Sequence, residues 1–507
     1  MTVPLSPSFD PIAFHARFRP NVAACIDLTS GERLDYRTLA ARVAQCVSAL
    51  ASMVSDLSGA RIAVVARNCT DIAVLTLACE RTGAILVPLN WRLAAPELAG
   101  LFDDCSPAIV LVQAEFDELV ETASSLAKQR AVKRPLSDLG AQAQSAPTGV
   151  SPGEMNAPCI ILYTSGTTGR PKGVVITRDN ALYSSLNFAA LAKLDARSVL
   201  LCDAPMFHTV GLVAITRTAM LQGACVVISD RFVPSVTLQR LSDPALGVTH
   251  YFVVPQMVEA LMREPGAARA DFSRLTALFS GGGPLSPALV KACIDRSVLL
   301  VNGYGMSEMG SGIHMPLDAA YMAANTHAVG FPAPYLDVML ANAQGEAVAP
   351  GEVGEIWMRG PSVSPGYWNQ PEATAASQSG DWFRSGDLAR QQSDGAFVIV
   401  DRLKDMYISG GENVYPAEVE AVLRLCAGVE DAAVAGVPDA RWGEVGAAFV
   451  QLTPGANLSP EDIREHCATR LARYKQPAHV KFVDALPRTG SGKVLKNRLL
   501  EGFHSKV

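Results

Sequence analysis

The sequence predicts an α/β protein: a large N-terminal domain with parallel sheets flanked by helices and a β-rich subdomain, followed by a small α+β C-terminal domain. Three observations carry this expectation. Short β-branched runs alternate with helical stretches, Pro and Gly punctuation increases near Phe331, and a fresh strand and helix alternation begins after Asp401. A chain of 507 residues also exceeds what one hydrophobic core usually organises.

Taken in chain order, "MTVPLSPSFDPIAFHARF" puts Pro and Asp where a signal peptide needs an apolar run. "RIAVVA" from Arg61, "AIVLV" from Ala108, "CIILYT" from Cys159, "ACVVIS" from Ala224 and "VTHYFVV" from Val248 read as buried strands. Helical stretches over 71–82, 178–192 and 287–295 fall between them, the pattern of crossover helices in parallel sheets. The polar, Pro/Gly-rich stretch after Asp138 reads as a connector. From Phe331 to about 401 the punctuation surrounds short alternating strands, which suggests a small β-rich subdomain. A charged hinge, "DRLKDM" over 401–406, precedes a β-α-β-β-α-β pattern with helices over 416–426 and 460–471 and strands over 429–437 and 447–452. The expected domains are therefore 1–401 and 402–507, the second long enough to fold by itself.

Apolar residues at 49%, with 17 Phe, 11 Tyr and 5 Trp, supply a sizeable core, and 18% charged residues exclude a disordered chain. The net charge of −6 and the lack of a basic run argue against nucleic acid as the partner. Eleven cysteines at irregular spacing form no C-x-x-C or metal-ligand pattern and read as core residues of a reducing cytoplasm. No apolar span is long enough for a bilayer, which leaves peripheral membrane contact as the only membrane association to consider.

The loop "YTSGTTGRPKG" looks like a phosphate cradle but is not a Walker A loop. Counting from Gly166, Pro171 stands where the second Gly belongs and Gly173 where the metal-binding hydroxyl belongs. What remains is Thr164, Ser165, Gly166, Thr167, Thr168, Gly169 and Lys172: backbone N–H groups, hydroxyls and an ammonium that can wrap an oxygen-rich anion. By composition alone, a plain Gly/Thr turn between a strand and a helix is an equal alternative.

Further motifs follow in order. They are "PMFHTVG", "FSGGGPL", "NGYGMSE", "WFRSGDLA", "DRLKDMYISGGENVYPAEVE" and "PRTGSGKVLK". Together with the loop, this series resembles the adenylate-forming enzymes of the acyl- and aryl-CoA synthetase type, most closely bacterial fatty acyl-CoA and feruloyl or hydroxycinnamoyl-CoA ligases. The resemblance implies ATP, Mg²⁺ and CoA as cofactors and a small-molecule carboxylic acid as substrate. The acid is first joined to AMP, with loss of pyrophosphate, and is then passed to a thiol.

By that resemblance, Lys493 supplies the charge that neutralises the first step, Glu308 holds Mg²⁺, and Ser307, in place of a Thr, donates to a phosphate oxygen. Gly281, Gly282 and Gly283 let backbone approach adenine while Tyr304 and Gly305 line the same site. Asp387 and Arg402 hold the ribose. His208 lies near the acid carboxylate and the thiol entry. Lys404 is the pivot of a mobile C-terminal domain, Gly410 and Gly411 line a pantetheine path, and Trp442, with Arg473 or Lys475, meets CoA. Each of these residues has an ordinary counterpart: a tail lysine, a surface carboxylate, a satisfied core histidine, a linker turn. The ordered series outweighs them.

The acid pocket would draw on "PMFHTVGLVAI", "VVPQMV" and "GMSEMGSGIHM", which suits an apolar aliphatic or aromatic acid. Arg217 reads as an exposed helical side chain in preference to a ligand for a second carboxylate. Two alternatives to CoA ligation stay open: acyl transfer to a free carrier protein, and a non-catalytic ATP-binding protein. A homodimer is compatible with all three.

Overall fold

The β-branched runs pair side by side into two largely parallel sheets. The computed structural model describes residues 10–140, 154–164, 171–282, 285–409, 412–488 and 494–504. One sheet has nine strands. Its parallel centre runs Leu300–Met306, Ala277–Ser280, His250–Val253, Val199–Cys202, Cys225–Ile228 and Ala23–Asp27. Antiparallel strands close its two margins, Gly310–His314 on one side and Arg33–Asp35 on the other. The second sheet has six strands, with Ile109–Val112, Arg61–Val65, Ile85–Leu89 and Pro158–Thr164 in parallel and Lys172–Thr177 antiparallel at its end. The expected α/β class is observed. The antiparallel margins are an addition that apolar runs do not signal, because strand direction depends on the connection and not on composition.

Central strands such as Ile109–Val112 and Ala277–Ser280 are buried at every position, as strands covered on both faces must be. Two helices explain the covering. Thr70–Thr82 packs against Ile85–Leu89 of one sheet and Ala23–Asp27 of the other, and Arg178–Ala192 touches both Lys172–Thr177 and Gly310–His314. Both are apolar or small nearly all round, the pattern of an inner helix. All eleven cysteines are unpaired and all but Cys69 are buried, so they serve as core residues.

The chain divides into two compact units, Met1–Asp337 with Met358–Phe383, and Val338–Trp357 with Arg384–Val507. The boundary expected at 401/402 falls inside the second. The β-rich stretch holds the short strands Asp337–Ala341, Val353–Arg359, Gln378–Ser379, Trp382–Gln391 and Phe397–Arg402. Further along, Tyr407–Ser409, Gly443–Leu452 and Val429–Asp439 form an antiparallel sheet that His479–Phe482 joins in parallel. Helices Pro416–Arg424 and Pro460–Ala468 close its core through Val419, Leu423, Ile463 and Cys467. Among the described residues no helix is long and apolar enough to cross a membrane.

One expectation is reversed. Arg217 is buried, not exposed, and its guanidinium pairs with Glu80 at 2.7 Å and donates to Ser185 Oγ at 3.3 Å. It is therefore already committed to a protein carboxylate. Removing one partner of such a pair strands the other charge in the interior. Arg217→Ala is expected to lower stability by about 3–5 kcal/mol, read from urea unfolding; a midpoint matching the parent protein would show that the pair contributes nothing.

Candidate active site

The Gly/Thr-rich loop is carried by a hairpin. Pro158–Thr164 and Lys172–Thr177 are antiparallel, with Thr164 opposite Lys172 where the connecting loop begins and Thr164 Oγ1 donating to the Lys172 carbonyl at 3.4 Å. This replaces the strand-to-helix turn weighed above and separates the loop from a P-loop, whose turn leads directly into a helix. Here the helix Arg178–Ala192 begins only after the second strand. Thr177 and Asn180 cap it reciprocally, each side chain accepting from the other's backbone N–H. Lys172 extends its ammonium over the ring of Tyr367, 4.7 Å from the centroid. Ser165, Gly166, Thr167, Thr168 and Gly169 lie outside the described residues, as do Gly283, Gly410, Gly411 and Lys493.

Ser307 and Glu308 occupy the tight turn between Leu300–Met306 and Gly310–His314. That turn depends on Gly305, since a Cβ there would lie 2.5 Å from the Gly310 carbonyl oxygen. The Glu308 side chain is buried and accepts a hydrogen bond from the Tyr367 hydroxyl at 2.9 Å. Burial and then the Glu308 charge push that hydroxyl's pKa up, so it remains a donor. Tyr304 precedes the turn, half-buried, opposite Ile313. Gly281 sits beside the Gly303 carbonyl and Gly282 has φ +83° with open space where a side chain would be, so backbone is exposed next to the Tyr304 strand.

Glu308, Ser307, Ser184, Thr209 and Ser364 line a cavity with room for about one water molecule. The buried hydroxyls of Ser184 and Thr209 have no partner among the described residues. Among those residues there is also no cluster of three or more His, Cys, Asp or Glu side chains able to hold a metal. One carboxylate amid hydroxyl oxygens fits magnesium, which is commonly held by one or two carboxylates and shared with phosphates.

His208 starts where Val199–Cys202 has ended and just ahead of a π-helical segment, Val210–Arg217. Its ring packs on Phe207, centroids 4.6 Å apart. Buried polar residues that the sequence reading did not single out fix this segment. Asn68 donates to the Ala204 carbonyl at 2.8 Å and accepts from Met206 N–H at 2.8 Å. Asp203 accepts from the Tyr251 and Thr237 hydroxyls at 2.7 and 2.8 Å. Gly211 allows the close approach, because a Cβ there would lie 2.4 Å from the Pro205 carbonyl oxygen.

In the second unit Asp387 and Arg402 face each other across paired strands, Oδ1 to Nε 3.4 Å, with Asp387 buried. The two residues expected at the ribose are thus adjacent. Lys404 is exposed on the turn after Phe397–Arg402, where Asp405 and Met406 N–H groups both donate to the Arg402 carbonyl. Trp442 is 43% exposed at the tip of the Val429–Asp439 and Gly443–Leu452 hairpin, its ring covered by Arg441. Lys475 pairs with Glu418 at 2.7 Å, so its charge is engaged within the unit.

These sites can now be set beside known proteins. Residues 12–368 match the model of the AMP-binding enzyme family, and residues 418–493 match that of the AMP-binding enzyme C-terminal domain. The chain belongs to the AMP-binding enzyme family. It is 40% identical over 488 residues to a feruloyl-CoA synthase of an Amycolatopsis species, covering 96% of this chain and 97% of that one. It is 33% identical over 505 residues to a fatty acid–[acyl-carrier-protein] ligase of Streptomyces coeruleorubidus, covering 97% and 95%. Among solved structures, the o-succinylbenzoate-CoA synthetase of Bacillus subtilis in complex with ATP and magnesium superposes with a TM-score of 0.87 at 28% identity, over 97% of this chain and 99% of that one.

The Asp203 carboxyl provides a pH test of how the His208 segment is held. Burial raises its pKa to about 6, against about 3.9 in an unfolded chain. A raised folded-state pKa means that the protonated form is favoured in the native protein. Its contribution is complete below about pH 4 and is lost as pH rises through about 6. The stability of the parent protein relative to Asp203→Asn is expected to fall by about 2–3 kcal/mol between pH 4 and pH 7. Urea unfolding at several pH values measures it, and a constant gap would contradict the assignment.

Proposed function

We propose that this chain activates an apolar carboxylic acid as its acyl-adenylate and transfers the acyl group to CoA. It is an AMP-forming acid–thiol ligase. The observation supporting the site assignment is the placing of Lys172 and Glu308 against one tyrosine, at the mouth of the Gly/Thr hairpin. An ammonium and a carboxylate so close suit a polyphosphate: the first pairs with phosphate oxygens, the second with the cation that accompanies them.

In the first step a carboxylate oxygen of the acid attacks the α-phosphorus of ATP, and pyrophosphate leaves. Lys172 and the hairpin N–H groups hold the departing phosphates, and Lys493 neutralises the charge that develops between carboxylate and α-phosphate. Glu308 would hold magnesium, which when bound would supply Lewis-acid neutralisation of the phosphate oxygens. Asp387 accepts from the ribose hydroxyls beside Arg402. In the second step the CoA sulfur attacks the acyl carbon and AMP leaves. Lys493 must withdraw for this, with residues 402–507 turning about Lys404.

His208 borders the acid side. The feruloyl-CoA synthase relative puts hydroxycinnamates first in a substrate panel, with fatty and benzoic acids after them. The carrier-protein ligase relative supports a second reading, in which a protein-bound pantetheine replaces CoA. Coupled assays of AMP release with either thiol distinguish the two.

Lys493→Ala is expected to slow acyl-adenylate formation by about a hundredfold or more while leaving thioester formation from supplied adenylate near the parent rate. Single-turnover assays of each half-reaction measure this. An equal loss in both would remove Lys493 from the first step.

A further inference from the structure

The phosphate end of the site is assembled from separate stretches of chain, and one side chain outside all the expected motifs touches two of them. Tyr367 donates its hydroxyl proton to Glu308 Oε1 at 2.9 Å and offers its ring to Lys172 Nζ at 4.7 Å. Its backbone is held as firmly. The Tyr367 N–H donates to Thr374 Oγ1 at 2.9 Å, and Tyr367 pairs with Val174 in an antiparallel bridge. On either side Val175 N–H donates to the Gly366 carbonyl at 3.0 Å and Trp368 N–H to the Gly173 carbonyl at 2.7 Å.

A phenol fixed in this way acts differently on its two neighbours. The hydrogen bond to a charged acceptor is directional and restricts how the Glu308 carboxylate can turn. The cation–π contact is broad and weak, so it keeps the Lys172 ammonium near the hairpin mouth without competing with a phosphate for it. We propose that Tyr367 is a positioning residue for adenylation: its hydroxyl orients Glu308 toward magnesium, and its ring parks Lys172 for the tail phosphates of ATP. This rests on Glu308 and Lys172 having the roles given above.

The hydroxyl and the ring can be removed separately. For Tyr367→Phe the magnesium concentration giving half-maximal acid-dependent pyrophosphate exchange is expected to rise about tenfold. ATP binding in EDTA, measured by calorimetry on the full chain, should stay within about twofold of the parent because the ring remains. Tyr367→Leu, which also loses the ring, should weaken ATP binding in EDTA by about threefold or more. Glu308→Gln is the control for the underlying reading. If it loses the magnesium response while Tyr367→Phe keeps the parent's, the hydroxyl does not orient the carboxylate and the inference fails alone. Should Glu308→Gln retain the parent magnesium response, the metal reading fails and the inference with it. Unaltered ATP binding in EDTA by Tyr367→Leu would remove the part assigned to the ring.

Discussion

The Glu308 turn, the proposed phosphate end of the site, depends on one segment, residues 360–368, being stitched to two different sheets. Ser364 N–H donates to the Glu308 carbonyl at 2.7 Å, while the Ser364 hydroxyl donates to the Val175 carbonyl at 2.6 Å. The Asn180 side chain donates to the carbonyls of Pro361 and Val363, which ties the same segment to the first turn of the following helix. These bonds fix the Glu308 turn of the nine-stranded sheet against the terminal strand of the six-stranded one. The Ser364 bonds involve buried groups, so leaving one of them unmade costs more than a hydrogen bond normally contributes. Phosphoryl chemistry, in which positioning does most of the work, gains directly from that rigidity.

The acid side is held by a different set of forces. The segment before His208 is gripped by Asn68 and Asp203, both buried and fully engaged with named partners. The π-helical run beyond it ends at Arg217, anchored on Glu80. Thr216 and Thr218 return hydroxyl hydrogen bonds to the carbonyls of Gly211 and Val213, five residues back in each case, which fits the wider turn. A polar brace therefore stands at each end of a stretch whose other side chains are apolar. Leu212, Val213 and Ile215 of this stretch are buried, so apolar packing and the polar braces hold the segment together.

What the sequence made legible divides along a physical line. Helix 178–192 was readable to the residue, because Thr177 and Asn180 form a local cap, whereas the strand Lys172–Thr177 before it was not, since its run starts inside the Gly/Thr loop motif. The strands expected from β-branched runs were readable for a similarly local reason: their signal is the composition of a few consecutive residues. Asp387 and Arg402, which the resemblance assigns to one ribose, lie adjacent across a short hairpin, a contact that the sequence does not by itself announce. Tyr367, Asn68 and Asp203 were not legible. Their side-chain hydrogen-bond partners lie at separations from 34 to 161 residues, and nothing in "SPGYWNQ" or "ARNCT" marks the polar atom as spoken for. Arg217 fails in the same way, since a lone Arg after an apolar run looks exposed until Glu80, 137 residues away, is placed beside it.

The net charge sharpens the part the local array must play. At −6 the chain as a whole does not favour the approach of a polyphosphate. Attraction has to come from groups close enough to act inside a Debye length, about 8–10 Å at physiological salt. Under the proposed assignment Lys172, whose ammonium lies 4.7 Å from the Tyr367 ring centroid, is such a group. The buried carboxylate of Glu308 would by itself add to the repulsion, and the phenol partly offsets this by donating a hydrogen bond to it. A tyrosine whose pKa is raised by burial and by the Glu308 charge stays protonated, and so it remains a donor to that carboxylate.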